Sequence, residues 1–186
     1  RASDTMKRYL KYAGLLILAL VITGFGIVLT KRASDAREWT VDGARVPMTR
    51  FEGSRALVTN VRNFEYRGAE EEVTERWEER TYDLSKLESV WYWVVPFGDF
   101  RGPAHTFVSF GFADSVKGTE YVAVSVEARK EKGEHYHPVT GLLREYELMY
   151  VVGDERDLVK LRSNFRKDSV FLYRVQTTAE KGRALF

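Results

Sequence analysis

The amino-acid sequence predicts an α+β protein in which an N-terminal transmembrane helix precedes a mainly antiparallel sheet with flanking helices. The first observation is an uncharged apolar stretch over 13–30. The second is a series of short segments rich in β-branched and aromatic residues, separated by loops with Gly, Pro and Asp. The third is that helical patterns are few and do not alternate with strands. Neither a βαβ rhythm nor a glycine-rich phosphate loop is present, which argues against nucleotide binding.

The apolar stretch over 13–30 follows a basic N-terminus over 1–12. As a helix it would extend about 27 Å, close to the thickness of a hydrocarbon core. A cleaved signal peptide or a buried core helix would also be apolar. The length of the stretch and the lack of an Ala-x-Ala-like site after Thr30 favour an uncleaved membrane anchor. Basic residues on both sides leave its orientation open.

The charge balance excludes one class of partner. The 29 Lys and Arg residues barely outnumber the 27 Asp and Glu residues, so no strong basic field would attract nucleic acid. The chain has no cysteine, which excludes disulfides without fixing the compartment. His105, His135 and His137 could form a zinc site, but they lack close ligand spacing. We therefore predict no metal and no cofactor.

The polar segment over 31–55 is predicted as a linker, and 56–186 as the folded domain. Within the domain, β-branched and aromatic runs predict strands over 57–66 and 89–97. The segment 70–80 between them is highly charged. It is compatible with an exposed helix or with a loop.

The central feature of the domain is a predicted hairpin. Strand-like runs over 104–112 and 121–129 flank a short segment with the composition of a tight loop. If the hairpin folds about Val116, antiparallel pairing places His105 opposite Glu127, within side-chain reach on one face.

This pairing predicts a candidate catalytic pair, because a neutral imidazole held in one tautomer by a carboxylate can act as a general base near neutral pH. His105 and Glu127 are therefore predicted as catalytic, and Ser125 and Arg129, on the same strand face as Glu127, as substrate-binding. In the alternative, His105 is a packed or solvent-facing strand residue and the charges form a solvated sheet surface. The chain itself contains no cysteine and no Gly-x-Ser-x-Gly elbow to supply a nucleophile.

The last part of the domain is predicted to contain a loop, a strand and a helix. A polar loop over 130–141 precedes a strand over 142–152, and Asp154 is placed to cap a short helix. The charges over 155–157 are interpreted as the first turn of that helix. Its apolar face consists of Leu158, Leu161 and Phe165.

A strand over 169–175 is predicted to lead into a final helix. Thr177 and Glu180 have the spacing of a capping box, and 184–186 supply the first apolar residues. So short a helix with nothing to pack against would be marginal. We therefore expect the chain to be a fragment cut inside this helix.

A non-catalytic envelope-binding module is the competing hypothesis. Its contacts would be aromatic side chains that precede His105 in the sequence, and burial of those side chains would exclude the surface. The candidates are Trp91, Trp93, Phe97 and Phe100.

A series of short motifs along the domain resembles one known family. The motifs are Asn60-x-Arg62-Asn63-Phe64-x-Tyr66, Thr81-Tyr82-Asp83-Leu84, Ala104-His105-Thr106-Phe107-x-Ser109-Phe110-Gly111-Phe112, Ser125-x-Glu127-x-Arg129, Lys132-Gly133-Glu134, Tyr146-Glu147-Leu148 and Asp154-Glu155-Arg156-Asp157. In this order they resemble the Lnb N-terminal periplasmic domain family, from about Val58 to the last residue. Such a series is much more specific than any single motif.

The resemblance implies a domain anchored in the inner membrane, facing the periplasm and related to permuted papain-like thiol enzymes of the NlpC/P60 type. Members are linked to lipoprotein N-acylation, which implies a membrane lipid or lipoprotein substrate. In the family pattern the histidine comes first, at the position that His105 matches. A cysteine in an Asn-Cys-Thr-Thr-like motif comes after the helix that begins here near Thr177. The resemblance therefore implies a thiol acyltransferase or hydrolase whose nucleophile this chain lacks.

Overall fold

The computed structural model describes residues 2–67, 72–97, 102–116, 118–137, 140–141 and 145–186. The chain begins with helix α1, Ala2–Thr30. Over Thr5–Thr30 this helix is long and apolar enough to cross a membrane, and its most apolar part is not buried against the rest of the protein. The uncharged stretch predicted as a membrane anchor is therefore part of a longer, exposed apolar helix.

A strand-rich domain follows. Its strands are β1 (Met48–Glu52), β2 (Arg55–Arg62), β3 (Glu65–Arg67), β4 (Glu72–Thr74), β5 (Trp77–Asp83), β6 (Leu87–Pro96), β7 (Ala104–Asp114), β8 (Gly118–Arg129), β9 (Glu147–Asp154) and β10 (Phe171–Arg174). Its helices are α2 (Glu155–Lys160), which continues into a π-helical turn over Leu161–Phe165, and α3 (Ala179–Leu185).

Eight of the described strands form one mixed sheet in the order β1-β2-β9-β8-β7-β6-β10, with β5 paired to β2. The pairs are antiparallel except for β2 and β9, which meet in parallel at Arg62 and Gly153. β3 and β4 form a separate two-stranded sheet. The α+β class with an N-terminal apolar helix is confirmed, and the papain-like arrangement stays a prediction.

The hairpin of β7 and β8 folds about Val116, as the sequence predicts. Phe107 lies opposite Ser125, and Asp114 lies opposite Gly118. Asp114 also accepts a hydrogen bond from the backbone N–H of Val116, which stabilises the turn. The same register, continued past Phe107, brings the first residues of β7 beside the last residues of β8.

The sheet has a separate hydrophobic core on each face. On the face that we call the site face, α2 covers a cluster of Trp93, Val95, Phe107, Ala123, Met149, Val151 and Leu158. The opposite face, which we call the back face, buries Val58, Val61, Tyr82, Val90, Phe110, Phe112, Val122 and Val152. Because successive side chains of a strand point to opposite faces, neighbouring residues of β7 and β8 belong to different cores.

The charged segment over 70–80 contains strands, so its interpretation as a helix or loop was wrong. β4 and most of β5 lie in this segment, and β5 pairs with β2 along its length. The ladder hydrogen bonds and the burial of Tyr82 hold a strand whose other side chains are largely charged.

The predicted linker over 31–55 is partly folded. β1 pairs with β2 from Met48 to Glu52, and Trp39 is buried and forms a bridge to Glu131. This apolar anchor was hidden in a polar stretch, which is why composition alone indicated a linker.

The final helix is better packed than the sequence indicates. Its N-cap is Thr178 rather than Thr177, with the hydroxyl accepting from the N–H of Lys181. The ring of Phe186 packs 5.0 Å from Phe110 and 5.8 Å from Tyr82, centroid to centroid. The expectation of a helix with nothing to pack against was therefore wrong.

The two strands predicted near the end of the chain overlap strands of the structure. β10 lies inside the strand predicted over 169–175 and pairs with β6. β9 begins later than the strand predicted over 142–152, and 142–144 lie outside the described residues.

Candidate active site

His105 and Glu127 lie side by side at the end of the β7–β8 hairpin. His105 Nε2 is 3.2 Å from Glu127 Oε1, and the two side chains are 19% and 31% exposed. The ring is thus shielded on most sides but accessible from one. The pair has the separation that an orienting carboxylate needs.

Ser125 lies within hydrogen-bonding distance of both residues. Its hydroxyl donates a hydrogen bond to Glu127 Oε1 at 2.7 Å and lies 2.9 Å from His105 Nε2. Because the single hydroxyl proton goes to the carboxylate, the oxygen of Ser125 is left to accept from the imidazole. Ser125 is 1% exposed, so it contacts the pair from the buried side.

Arg162 is the third partner of the imidazole and was not predicted from the sequence. Its Nη2 donates to Glu127 Oε1 and lies 2.9 Å from His105 Nε2, while its Nη1 donates to the backbone oxygen of Leu158 at 2.9 Å. The guanidinium also lies over the ring of Phe107, 4.7 Å from its centroid. These contacts fix the arginine at the base of the site.

Arg162 lies in the π-helical turn that follows α2. In this turn the N–H of Arg166 donates to the oxygen of Leu161, five residues earlier, at 3.0 Å. A π-helical turn changes the direction of the side chains that follow it and is common at functional sites.

These contacts favour one tautomer of His105. Nε2 lies beside two acceptors, the hydroxyl oxygen of Ser125 and the carboxylate of Glu127, and beside one donor, Arg162 Nη2, which donates to Glu127 and has a second proton. A proton on Nε2 can be shared between the two acceptors, whereas a lone pair would meet one donor, so we infer that the proton lies on Nε2. Among the described residues no hydrogen bond to Nδ1 is found, so this nitrogen is left as the base.

Glu127 is held as a carboxylate. Burial alone raises its pKa, but the hydrogen bond with His105, the charge of Arg162 and the hydroxyl of Ser125 lower the pKa to about 2. At neutral pH the group is thus ionised and can orient the N–H of the imidazole.

A cleft with a volume of about 1170 Å³ opens beside the pair and is lined by His105, Glu127 and Arg162. Basic side chains outnumber acidic ones along its walls, and several walls are apolar. The apolar lining includes Val95, Pro96, Phe97, Leu148, Met149 and Val151. A cleft with this lining can accept an apolar chain with a polar group attached.

The predicted substrate-binding residues are not at the cleft surface. Ser125 supports the pair, as described above. Arg129 is buried, donates to the oxygen of Gly43 at 2.9 Å and to Asp35 at 2.7 Å, and stacks over Trp39. Neither residue lines the cleft. The geometry gives a substrate-binding role no support, so that role stays a prediction.

Asp157 lies in the first turn of α2, as predicted, and it is also a buried anchor. Its carboxylate accepts two hydrogen bonds from Arg62, at 3.0 and 3.2 Å, and others from the N–H of Phe64 and the hydroxyl of Tyr66. Asp157 is fully buried. This network fixes α2 to β2 and so positions Arg162, which lies in the turn that follows α2. Asp154 caps the helix, as predicted.

A second glutamate lies on the site face with a different environment. Glu155 accepts a hydrogen bond of 2.5 Å from the hydroxyl of Ser109, which in turn accepts from Trp93 Nε1 at 2.8 Å. Burial raises the pKa of Glu155; the hydrogen bond from Ser109 offsets this rise in part, and the nearby charge of Asp154 adds to it.

The other sequence candidates are not assembled into a site. Among the described residues no group of three His, Asp or Glu side chains is placed to hold a metal ion, so the histidines considered for zinc do not converge. Trp93 is buried and cannot dock a partner, which corrects that part of the binding-surface hypothesis. Trp91 is half-buried, Phe97 is exposed, and Phe100 lies outside the described residues.

Arg162 could have been noticed in the sequence by one signal. It follows Leu158 by one helical turn and adjoins Leu161, so it lies beside the predicted apolar face. A charged residue there is rarely buried without a partner. The sequence does not indicate that its partner is Glu127, 35 residues away.

Comparison with known proteins gives one match. The model of the Lnb N-terminal periplasmic domain family matches residues 73–186, which is more than half of the chain and includes His105, Glu127 and Arg162. No curated protein and no solved structure matches. The resemblance inferred from the motifs is confirmed, and the chain belongs to the Lnb N-terminal periplasmic domain family.

Proposed function

We propose that this chain supplies the general base of a membrane-anchored thiol acyltransferase or hydrolase that acts on acyl groups of lipids or lipoproteins. The observation that carries the proposal is the imidazole of His105, held through Nε2 by Glu127 and Ser125, with Nδ1 left for a nucleophile. The anchor helix would place this site at the periplasmic surface of the inner membrane.

The proposed reaction uses Nδ1 of His105 as the general base. Nδ1 of His105 takes the proton of a thiol while the sulfur attacks an acyl carbonyl. A carbon–sulfur bond forms, the bond to the leaving oxygen or nitrogen breaks, and His105 returns the proton to that leaving group. An amine or water then attacks the thioester and gives its proton to His105. A carbon–nitrogen or carbon–oxygen bond forms, the carbon–sulfur bond breaks, and His105 returns the proton to the sulfur.

The thiol has to come from outside these 186 residues, because they contain no cysteine. The papain-like relationship implied by the resemblance would supply it from a cysteine that follows the C-terminal helix. In that arrangement Glu127 and Arg162 position the imidazole, and neither of them contacts the reacting atoms.

The proposal is tested with the full-length protein in phospholipid vesicles. The probe is a synthetic diacyl lipopeptide with a free N-terminal amine, and mass spectrometry measures acyl groups gained at the amine or released to water. We expect His105→Ala to lower the rate by about 10²–10⁴-fold. The matched control is His135→Ala, because His135 lies in an exposed loop.

Two results would contradict the proposal. A wild-type rate in His105→Ala would remove His105 from the mechanism. If the wild-type protein binds the lipopeptide without transferring or hydrolysing its acyl groups, the chain is a non-catalytic binding module instead.

A further inference from the structure

The residues that follow the anchor helix are tied to one end of the sheet. Lys31 Nζ is 2.6 Å from Glu145 Oε1, and the N–H of Ser34 donates to Glu147 Oε1 at 2.7 Å. The four residues that follow Thr30, up to Ser34, can span at most about 14 Å. The end of β8 and the start of β9 therefore lie within a short distance of the membrane surface.

At this same end of the sheet, the apolar surface of the back face is uncovered. Val126, Leu148 and Tyr150 are 48%, 77% and 63% exposed. Val126 lies opposite Tyr150 in the ladder, and Leu148 is two residues from Tyr150, so the three side chains share one face. We call these three residues the apolar patch.

The exposed patch is confined to the end of the sheet near the anchor, because residues of the same face further along the strands are buried. Val122 and Val152 lie on the same face further from the anchor, and both are buried in the back-face core. Toward the anchor, β8 and β9 still have apolar residues at alternate positions, but no described element covers these residues. Such a continuation of an apolar face marks an interaction surface.

The anchor determines what can cover the patch. A helix of 29 residues extends about 43 Å, which exceeds a hydrocarbon core of about 30 Å, so its ends reach the headgroup regions. Lys31 and Arg32 follow the helix directly, and basic residues are attracted to anionic lipid headgroups. Tyrosine, with an apolar ring and a polar hydroxyl, is enriched at this depth.

The patch also lies beside the cleft, at the end near the anchor. Arg32, Val126 and Leu148 are among the residues that line the cleft with His105 and Glu127, although the side chains of Val126 and Leu148 belong to the back face. A membrane surface that touches the patch would therefore lie beside the anchor end of the cleft.

We propose that the apolar patch rests in the headgroup region of the bilayer that α1 enters, so that the anchor end of the cleft lies at the membrane surface. The occupant of the patch is thus the lipid bilayer and not a second protein. This orientation does not depend on the reaction that the site performs.

The absence of cysteine makes the test direct, because a single introduced cysteine is a unique labelling site. The full chain is prepared as Leu148→Cys, labelled with bimane, and placed in nanodiscs with one chain per disc. The matched control is Val116→Cys, an apolar position that is 90% exposed. It lies at the opposite end of β8, about 30 Å away along the strand.

Phosphatidylcholine that carries a nitroxide on its headgroup is the quencher. We expect it to quench bimane at Leu148 at least threefold more than at Val116. Equal quenching at the two positions, or none at either, would overturn the proposal. Quenching at Leu148 that requires two chains per disc would assign the patch to a second copy and would also overturn it. Repeating the measurement with His105→Ala separates this result from the proposed function, because the variant should keep the same quenching pattern.

Discussion

Glu127 and Glu155 lie on the same face of the sheet, and each hydrogen-bonds a buried serine. Glu127 accepts from Ser125, and Glu155 accepts from Ser109. Their pKa values nevertheless move in opposite directions. That of Glu127 falls to about 2, whereas burial raises that of Glu155.

The difference lies in the neighbouring charges. Glu127 contacts Arg162 and has the imidazole of His105 beside it, whereas the charge beside Glu155 is another carboxylate, Asp154. A serine alone therefore does not keep a half-buried glutamate ionised. Glu127 stays ionised because the hydrogen bond with His105 and the charge of Arg162 together outweigh its burial.

The largest effect is expected from Arg162→Met, which removes from Glu127 the cation that Glu155 lacks. The variant keeps the side-chain volume similar but leaves a shielded carboxylate without its cation. We expect the free energy of unfolding at pH 7 to fall by about 3–5 kcal/mol, as when one partner of a buried ion pair is removed. Urea unfolding monitored by tryptophan fluorescence measures it.

The double variant Arg162→Met/Glu127→Gln is the control for this prediction. It removes the unpaired charge as well and should recover most of the lost stability. A loss of less than about 1 kcal/mol in the single variant would mean that the pair behaves like a surface ion pair.

A smaller, pH-dependent effect is expected from Glu127→Gln. Because the pKa of Glu127 in the folded protein is about 2, below its ordinary value of 4.5, its contribution is complete above the unfolded pKa. The contribution is lost as the pH falls from about 4.5 toward 2. This shift corresponds to about 3 kcal/mol at pH 7. We expect the stabilities of variant and wild type to converge at acid pH.

Glu155→Gln is the matched control and should have the smallest effect. The pKa of Glu155 is raised on folding, so its ionised form costs stability above the folded pKa and costs none below the unfolded pKa. Replacement by a neutral amide should leave stability at pH 7 within about 1 kcal/mol of wild type or above it. A loss equal to that of Glu127→Gln would contradict the comparison.

Much of the site-bearing hairpin could be predicted from the sequence. The turn composition around Val116 fixed the register, and the register placed His105 beside Glu127. β5 could not be predicted in this way. Its charges suggested a solvated segment, whereas its strand conformation depends on pairing with β2, which lies far from it in the sequence.

The role of Arg162 could not be predicted for a related reason. Local periodicity identified the helix and its buried leucines, but the rotation of the helix over the sheet is set by tertiary contacts. Those contacts include the ion pair between Arg62 and Asp157, whose members are 95 residues apart in the sequence. Composition also gave no indication that Asp157 would be fully buried.

The most direct test of the account is the protonation of the His105 ring. Nitrogen-15 NMR of the full chain, with histidine labelled in the ring, reads which nitrogen carries the proton in the neutral form. We expect a proton on Nε2, donated to Ser125 and Glu127, and none on Nδ1. A neutral ring with its proton on Nδ1, and Nε2 accepting from Arg162, would contradict it.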